Sequence, residues 1–222
     1  MSTEIHLIGG CGSSGTTLLA WLLDGLHDLR SGPETGLFHH RGLYTATALP
    51  EALETCLDGR APTLSLAVNR LKIPLVPRVF FMDREFHGLA QPDSEARMTA
   101  AASNLDNLLN MVLSEMARTQ GIPSRFAWID QTPKNCIAAR EFLEWRPEAR
   151  FIHLLRDGRD VMLSLARRWA SEAPGHDPAT YLGAAAARWT YDVHQARRAA
   201  EHPGYLEISY EDLVQQPLDT LN

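Results

Sequence analysis

Glu4-Ile5-His6-Leu7-Ile8-Gly9-Gly10-Cys11-Gly12-Ser13-Ser14-Gly15-Thr16-Thr17-Leu18-Leu19 reads as an apolar strand, a glycine-rich turn and a helix that opens on hydroxyls. Such a turn aims several backbone N–H groups at one point, at the positive end of a helix dipole. It makes an anion site, most often for phosphate. The strand covers residues 4–9 and the helix runs from Gly15 to about Leu26, with Leu18, Leu19, Leu22, Leu23 and Leu26 at helical spacing on its buried side. The turn lacks the Gly-Lys-Ser/Thr ending of a nucleoside-triphosphatase loop and has Ser14-Gly15-Thr16-Thr17 instead. Gly10, Gly12 and Gly15 fit a bare G-x-G-x-x-G spacing. The hydroxyls of Ser13, Ser14, Thr16 and Thr17 nevertheless point to direct phosphate ligation, not to a dinucleotide resting on bare backbone. A tight strand-to-helix turn with no ligand is the alternative.

Downstream the same alternation recurs. Phe126–Asp130 reads as a buried strand, followed by the loop Gln131-Thr132-Pro133-Lys134-Asn135 and a helix to about Trp145. Arg150–Leu155 is a second strand, with Arg156-Asp157-Gly158-Arg159-Asp160 opening a helix to about Ala170. A long helix covers roughly 178–201, Tyr205–Ser209 is the last strand, and Tyr210-Glu211-Asp212-Leu213 opens a short helix. Apolar strands alternating with helices predict an α/β fold, a central parallel sheet with helices on both faces. Ligands bind such sheets at the C-terminal strand ends, and every loop singled out leaves one of those ends. Between them, Ser31–Gly36 is a loop by composition, residues 36–100 read as an irregular lid or acceptor-facing insertion, and a helix is expected from about Ser94 to Thr119.

Bulk properties narrow the function. The 222 residues, 45% hydrophobic, suit one α/β domain spanning 1–222. A net charge of −6 gives no global field for nucleic acid, so an anionic ligand needs a local cationic pocket. Lys72 and Lys134 are the only lysines beside nineteen arginines, which suit fixed bidentate oxyanion contacts. Cys11, Cys56 and Cys136 show neither zinc spacing nor a disulfide framework. No apolar run approaches the ~18–20 residues of a membrane span. The first strand leaves no space for a signal peptide, and a cytoplasmic location without membrane contact is expected.

Two phosphate-binding loops on one sheet, the first at Gly12–Thr17 and the second at Arg156–Ser164, imply a nucleotide phosphorylated at two positions. The pair GCGSSGTTLL and LLRDGRDVMLS, with Pro33-Glu34-Thr35, Thr132-Pro133 and Tyr210-Glu211-Asp212-Leu213, resembles the sulfotransferases that use 3′-phosphoadenosine-5′-phosphosulfate. The bacterial branch similar to tyrosyl-protein sulfotransferases is the nearest in pattern. The resemblance spans nearly the whole chain except 49–100.

The resemblance implies a P-loop-type three-layer fold and a nucleotide-binding transferase that needs no metal. Gly12, Ser13, Ser14, Gly15, Thr16 and Thr17 would hold the 5′-phosphosulfate, Arg156 and Ser164 the 3′-phosphate, and Tyr210 would pack near the nucleotide. Glu34 would be the general base toward a hydroxyl or amine of a small-molecule, glycan or peptide acceptor. Ser13 and Gln131 stand where the family usually carries cations that stabilise the leaving oxygen. Lys134 is the expected compensator and Arg41 a weaker one. The family also continues into a segment that closes over the adenine, which residues 216–222 do not supply. An impaired or non-catalytic nucleotide-binding homologue and a P-loop small-molecule kinase are the alternatives.

The remaining candidates have simpler readings. Asp130 and Asp157 cap the helices that follow them. His153 is a core histidine, His39 and His40 are alternative bases, and Cys11 is either a small filler or a thiol of lowered pKa. Phe38, Phe80, Phe81, Phe86 and Trp21 line an acceptor pocket or pack in the core.

Overall fold

Strands β1 (Ile5–Gly9), β2 (Leu29–Ser31), β3 (Ala127–Asp130), β4 (Phe151–Leu155) and β5 (Tyr205–Ser209) pair in parallel in the order β2-β3-β1-β4-β5. The structure, a computed structural model, describes residues 4–24, 26, 28–32, 34, 36–45, 105–107, 109–110 and 126–221. From β1 the chain builds one half of the sheet through β2 and β3, then crosses back to place β4 on the other side. The switch point therefore lies between β1 and β4, where open α/β sheets bind ligands beyond the carboxyl ends of the strands.

Seven helices with described bounds flank the sheet: α1 (Thr16–Leu23), α2 (Gly42–Thr45), α3 (Ala139–Trp145), α4 (Gly158–Glu172), α5 (Pro178–Arg197), α6 (Tyr210–Gln215) and α7 (Pro217–Leu221). A 3-10 turn, Pro133–Ala138, leads into α3. Alternation along the strands sorts the core into two faces. Ile5, Leu7, Trp128 and Phe151 pack with Phe142 and Leu143 of α3, Ala196 of α5, and Leu37 and Phe38. Ile8, Ile129 and Leu154 point the other way, onto Leu19 and Ala20 of α1 and Leu213 of α6. Helices α4 and α5 share a third cluster of Val161, Leu165 and Trp169 with Tyr181, Ala184 and Ala185, which also takes in Cys11. This is the expected three-layer arrangement.

Several boundaries differ from the sequence reading. Leu29–Ser31 is an edge strand, not the approach to a loop; three residues are too few to show a period. Helix α1 ends at Leu23. Leu22 and Leu26 are exposed, so of the leucine stripe Leu19 is core and Leu23 packs against it. Helix α5 ends at Arg197, four residues early. The helix after Pro133 starts as a 3-10 turn. Of the insertion 36–100, only 36–45 is described; of the helix expected at 94–119, residues 105–107 and 109–110 are helical and the rest lie outside the described residues. Among the described residues no helix is long and apolar enough to cross a membrane.

Candidate functional site

The loop between β1 and α1 is held from within. Both donors of Ser14 go to the Cys11 carbonyl, the amide at 3.0 Å and the hydroxyl at 2.6 Å. Ser14 is therefore the internal brace of the turn, and its hydroxyl proton is not aimed outward. Gly10 donates its amide to the Pro133 carbonyl at 2.9 Å, and a Cβ on Gly10 would lie 2.5 Å from the Leu154 carbonyl oxygen. The turn needs left-handed backbone at Ser13 (φ 71°) and Gly15 (φ 94°). Gly15 caps α1 without a side-chain hydrogen bond. The amides of Gly12, Ser13 and Gly15 have no partner among the described residues, and the first amides of α1 have none within the helix. Together with the dipole of α1 they form an anion cradle. Thr16 is buried at its edge and Thr17 is exposed.

Across the switch point, Arg156 leaves the end of β4 and spans the cradle. Its Nη1 donates to the Ser13 carbonyl at 3.2 Å, its Nη2 lies 3.6 Å from Asp160, and its guanidinium sits 4.6 Å over the Tyr210 ring. Tyr210 presses against Gly15, where a Cβ would meet its ring at 2.6 Å. The Arg156 carbonyl accepts from Trp189 Nε1 of α5 at 3.2 Å. Asp157 caps α4 and Arg159 holds its carboxyl down at about 2, as a capping role predicts. The Asp157 amide donates to Glu211 at 3.0 Å, tying the ends of β4 and β5 together. Ser164 is exposed on α4, one turn past Asp160 and one turn before Arg168. Arg168 itself leans over the loop, with Nη2 3.4 Å from where a Gly12 Cβ would stand. The sequence reading missed Arg168, although its spacing from Asp160 and Ser164 puts it on the same helical face.

The β3 side is assembled differently. Asp130, fully buried, accepts from the Thr132 amide at 2.9 Å and from Asn135 Nδ2 at 2.8 Å. Asn135 also reaches the Ile8 carbonyl at 3.1 Å, so the exit loop of β3 is locked to β1. Thr132 Oγ1 accepts from the Gly36 amide at 3.0 Å and ties in the segment that carries Glu34, His39 and His40. Gln131 donates to the Gly32 carbonyl at 3.2 Å. Lys134 is largely buried and makes no hydrogen bond or ion pair among the described residues. Burial and the charge of Arg188 lower its pKa, against the pull of Asp192 and Glu34. Glu34 is exposed and within electrostatic reach of Lys134. His39 and His40 are buried, with ring centroids 3.9 Å apart and ring planes tilted by 35°. Burial holds both below the usual histidine range, His40 at about 4, and Lys134 adds to the effect on each.

Arg41 is not available as a cation: it is bound to Glu141 at 3.1 Å, to the Ile137 carbonyl at 2.7 Å and to Gln195. Burial raises the Cys11 thiol instead of lowering it. His153 is a core residue, its Nδ1 meeting Tyr205 Oη at 2.8 Å and Glu207 at 3.0 Å. Phe38 is core and Trp21 is exposed, while Phe80, Phe81 and Phe86 lie outside the described residues.

Thus Ser13, Gly12, Gly15, Arg156 and Tyr210 meet around one cradle with Ser164 on the adjoining helical face. Lys134 lies on the other flank of β1, within electrostatic reach of Glu34. The comparisons with known proteins agree with this architecture. The chain superposes on a sulfotransferase domain from the curacin biosynthetic pathway with a TM-score of 0.56 at 20% identity, covering 100% of this chain and 71% of that one. A sulfotransferase from Mycobacterium avium gives 0.52 at 19% identity, with 100% and 62% coverage. A sulfotransferase domain from the Synechococcus PCC 7002 olefin synthase gives 0.54 at 20% identity, with 99% and 70% coverage. This chain thus spans roughly two thirds of the length of these structures. No curated protein matches in sequence. The profile described as "Sulfotransferase family" matches residues 7–222, and the chain belongs to the sulfotransferase family.

Proposed function

We propose that the protein transfers a sulfuryl group from 3′-phosphoadenosine-5′-phosphosulfate to a hydroxyl or amine of an acceptor. The observation that carries this reading is the position of Arg156, which joins the β1 loop to the Tyr210 ring and places a guanidinium beside the anion cradle. The residues present fit such a donor: one set of unspent amides for one phosphate group, and a separate guanidinium with an adjoining hydroxyl face for another. When bound, the donor supplies the sulfuryl group and departs as the 3′,5′-diphosphate. The amides of Gly12, Ser13 and Gly15, with Thr16 and Thr17, hold the 5′ oxyanions and stabilise the charge that grows there. Arg156, Ser164 and Arg168 hold the 3′-phosphate side. Glu34 takes the acceptor's proton, and Lys134 faces the reacting group.

Calorimetry with adenosine 3′,5′-diphosphate in the absence of Mg²⁺ tests the reading. Binding is expected, and Arg156→Ala is expected to weaken it about 10- to 100-fold, the size of a charge-assisted hydrogen bond. Binding of ATP with Mg²⁺ in preference to the diphosphate overturns it. The neutral side chains at Ser13 and Gln131 favour a second reading, a nucleotide-binding homologue without transfer. That reading wins if the diphosphate binds, no acceptor in a broad panel is sulfated and Glu34→Ala changes nothing.

A further inference from the structure

Helix α5 carries a buried ion pair that the donor-site residues do not use. Arg188 Nε lies 2.5 Å from Asp192 Oδ2; the Asp192 side chain is fully buried and that of Arg188 is 13% exposed. Burial works against the charge of Arg188, and Asp192 more than offsets it. A buried pair of this kind is weak evidence for stability, because its desolvation can exceed its Coulomb gain. Asp192 engages only the Nε edge of the guanidinium. The two terminal nitrogens have no hydrogen-bond partner among the described residues.

The surroundings locate this open edge. Cys11, in the anion loop, packs with Ala184 and Ala185 of α5, one turn before Arg188, and Cys136, in the 3-10 turn, donates its thiol to the Gly10 carbonyl of the same loop at 3.7 Å. The same turn reaches the loop through the Pro133 carbonyl and Gly10. The charge of Arg188 is felt at Lys134 and at His39. His39 Nδ1 and both nitrogens of His40 are buried without partners. Unspent donors from α5, the 3-10 turn and the 36–40 segment therefore gather on the β3 flank of the loop.

We propose that Arg188, oriented by Asp192, forms with Lys134 the cationic wall that binds the sulfonate oxygens of the donor, on the flank where Ser13 and Gln131 provide no charge. This rests on the donor assignment above. The wall accounts for the two departures from the family pattern: the cations are present, but they come from the 3-10 turn and from α5. The chemistry recognised is an oxyanion, and the source is the donor's sulfonate. An acidic group on the acceptor is the competing source.

The test compares two nucleotides, adenosine 3′,5′-diphosphate, which lacks the sulfonate, and the intact phosphosulfate. The variant is Arg188→Met/Asp192→Leu, which replaces the buried pair with apolar side chains and leaves no buried charge unpaired. The phosphosulfate is expected to bind about 10-fold or more weakly than to the unaltered protein, and the diphosphate within about twofold. Inorganic sulfate added to the diphosphate complex is expected to bind to the unaltered protein and not to the variant. Arg188→Lys, which keeps a charge for Asp192 but loses the fork, is expected to act in the same direction and serves if the double variant does not fold. Equal weakening of both nucleotides, no change in either, or a change confined to the acceptor's KM overturns the proposal. Failure of the diphosphate to bind the unaltered protein instead strikes the donor assignment.

Discussion

On the β4 side of β1, contiguous segments meet: one glycine-rich turn, one Arg-Asp-Gly-Arg run and the first residue of α6. On the β3 side, the groups that face the same strand come from three segments far apart in the chain: Glu34 with His39–His40, Lys134 with Cys136 in the 3-10 turn, and α5. The first flank is made mostly of backbone amides and one arginine that braces the loop. The second is made of side chains whose charges shift one another. A fixed dipole array needs local geometry, so it is written in consecutive residues. A cluster of mutually dependent charges needs only the fold to bring its members together, so its residues are scattered.

The largest effect expected on either flank follows from Gly15→Ala. The added Cβ would need a strained left-handed backbone and would meet the Tyr210 ring at 2.6 Å. Nucleotide binding is expected to fall about 100-fold or more, with about 1–3 kcal/mol lost from stability. Calorimetry and thermal unfolding measure the two. Unchanged binding breaks the claim that backbone geometry governs this flank.

Acid titration separates the flanks next. His39 and His40 are held below their unfolded pKa by burial. Between the folded and unfolded values the unfolded chain binds more protons, so stability rises with pH through that interval. For His40, stability is expected to be complete above about pH 6.5 and to be lost as pH falls toward about 4, by about 3 kcal/mol. His153 and His6, also lowered by burial, act in the same direction. The carboxyls of the β4 flank, Asp157 and Glu211, are held low and lose their contribution only in stronger acid. Urea unfolding across pH 4–7 is expected to show a fall that His40→Phe reduces. An identical pH profile for the two proteins removes the distinction.

Asp130→Ala probes the seam between the flanks. It leaves the Thr132 amide and Asn135 Nδ2 short of a buried acceptor. A loss of about 2 kcal/mol in urea is expected. The smallest effect is expected from Tyr210→Leu, which removes the ring beneath Arg156. A cation–π contact of about 0.5–1 kcal/mol corresponds to nucleotide binding weakened roughly two- to fivefold.

The difference between the flanks also explains what could be read from the sequence. The parallel sheet was legible because β1 and β4 are buried on both faces and read as apolar runs. The anion loop was legible because its glycines and hydroxyls are consecutive, and Asp157 and His153 have the structural roles their positions suggest; Asp130 instead braces the β3 exit loop through Thr132 and Asn135, and the 3-10 turn after it has Thr132 at its N-cap and no side-chain cap. The strand β2 was not legible, since its Leu-Arg-Ser carries neither a period nor a continuous apolar run. The brace formed by Ser14 depends on which way one hydroxyl turns. Arg188 and Asp192 form an i,i+4 pair that looks like a solvated helix face until the packing of α5 against the 3-10 turn and the β1 loop buries it. The engagement of Arg41 by Glu141 and Gln195 joins residues about a hundred or more positions apart in the chain.

Trp189, which holds the Arg156 carbonyl, is the neighbour of Arg188 in the chain. If the donor binds as proposed, one helix sets the spacing between its two ends, and a shift of α5 along its axis would move both grips at once. Substitutions at Trp189 and Arg188 should then fail to add, because each re-registers the same ruler.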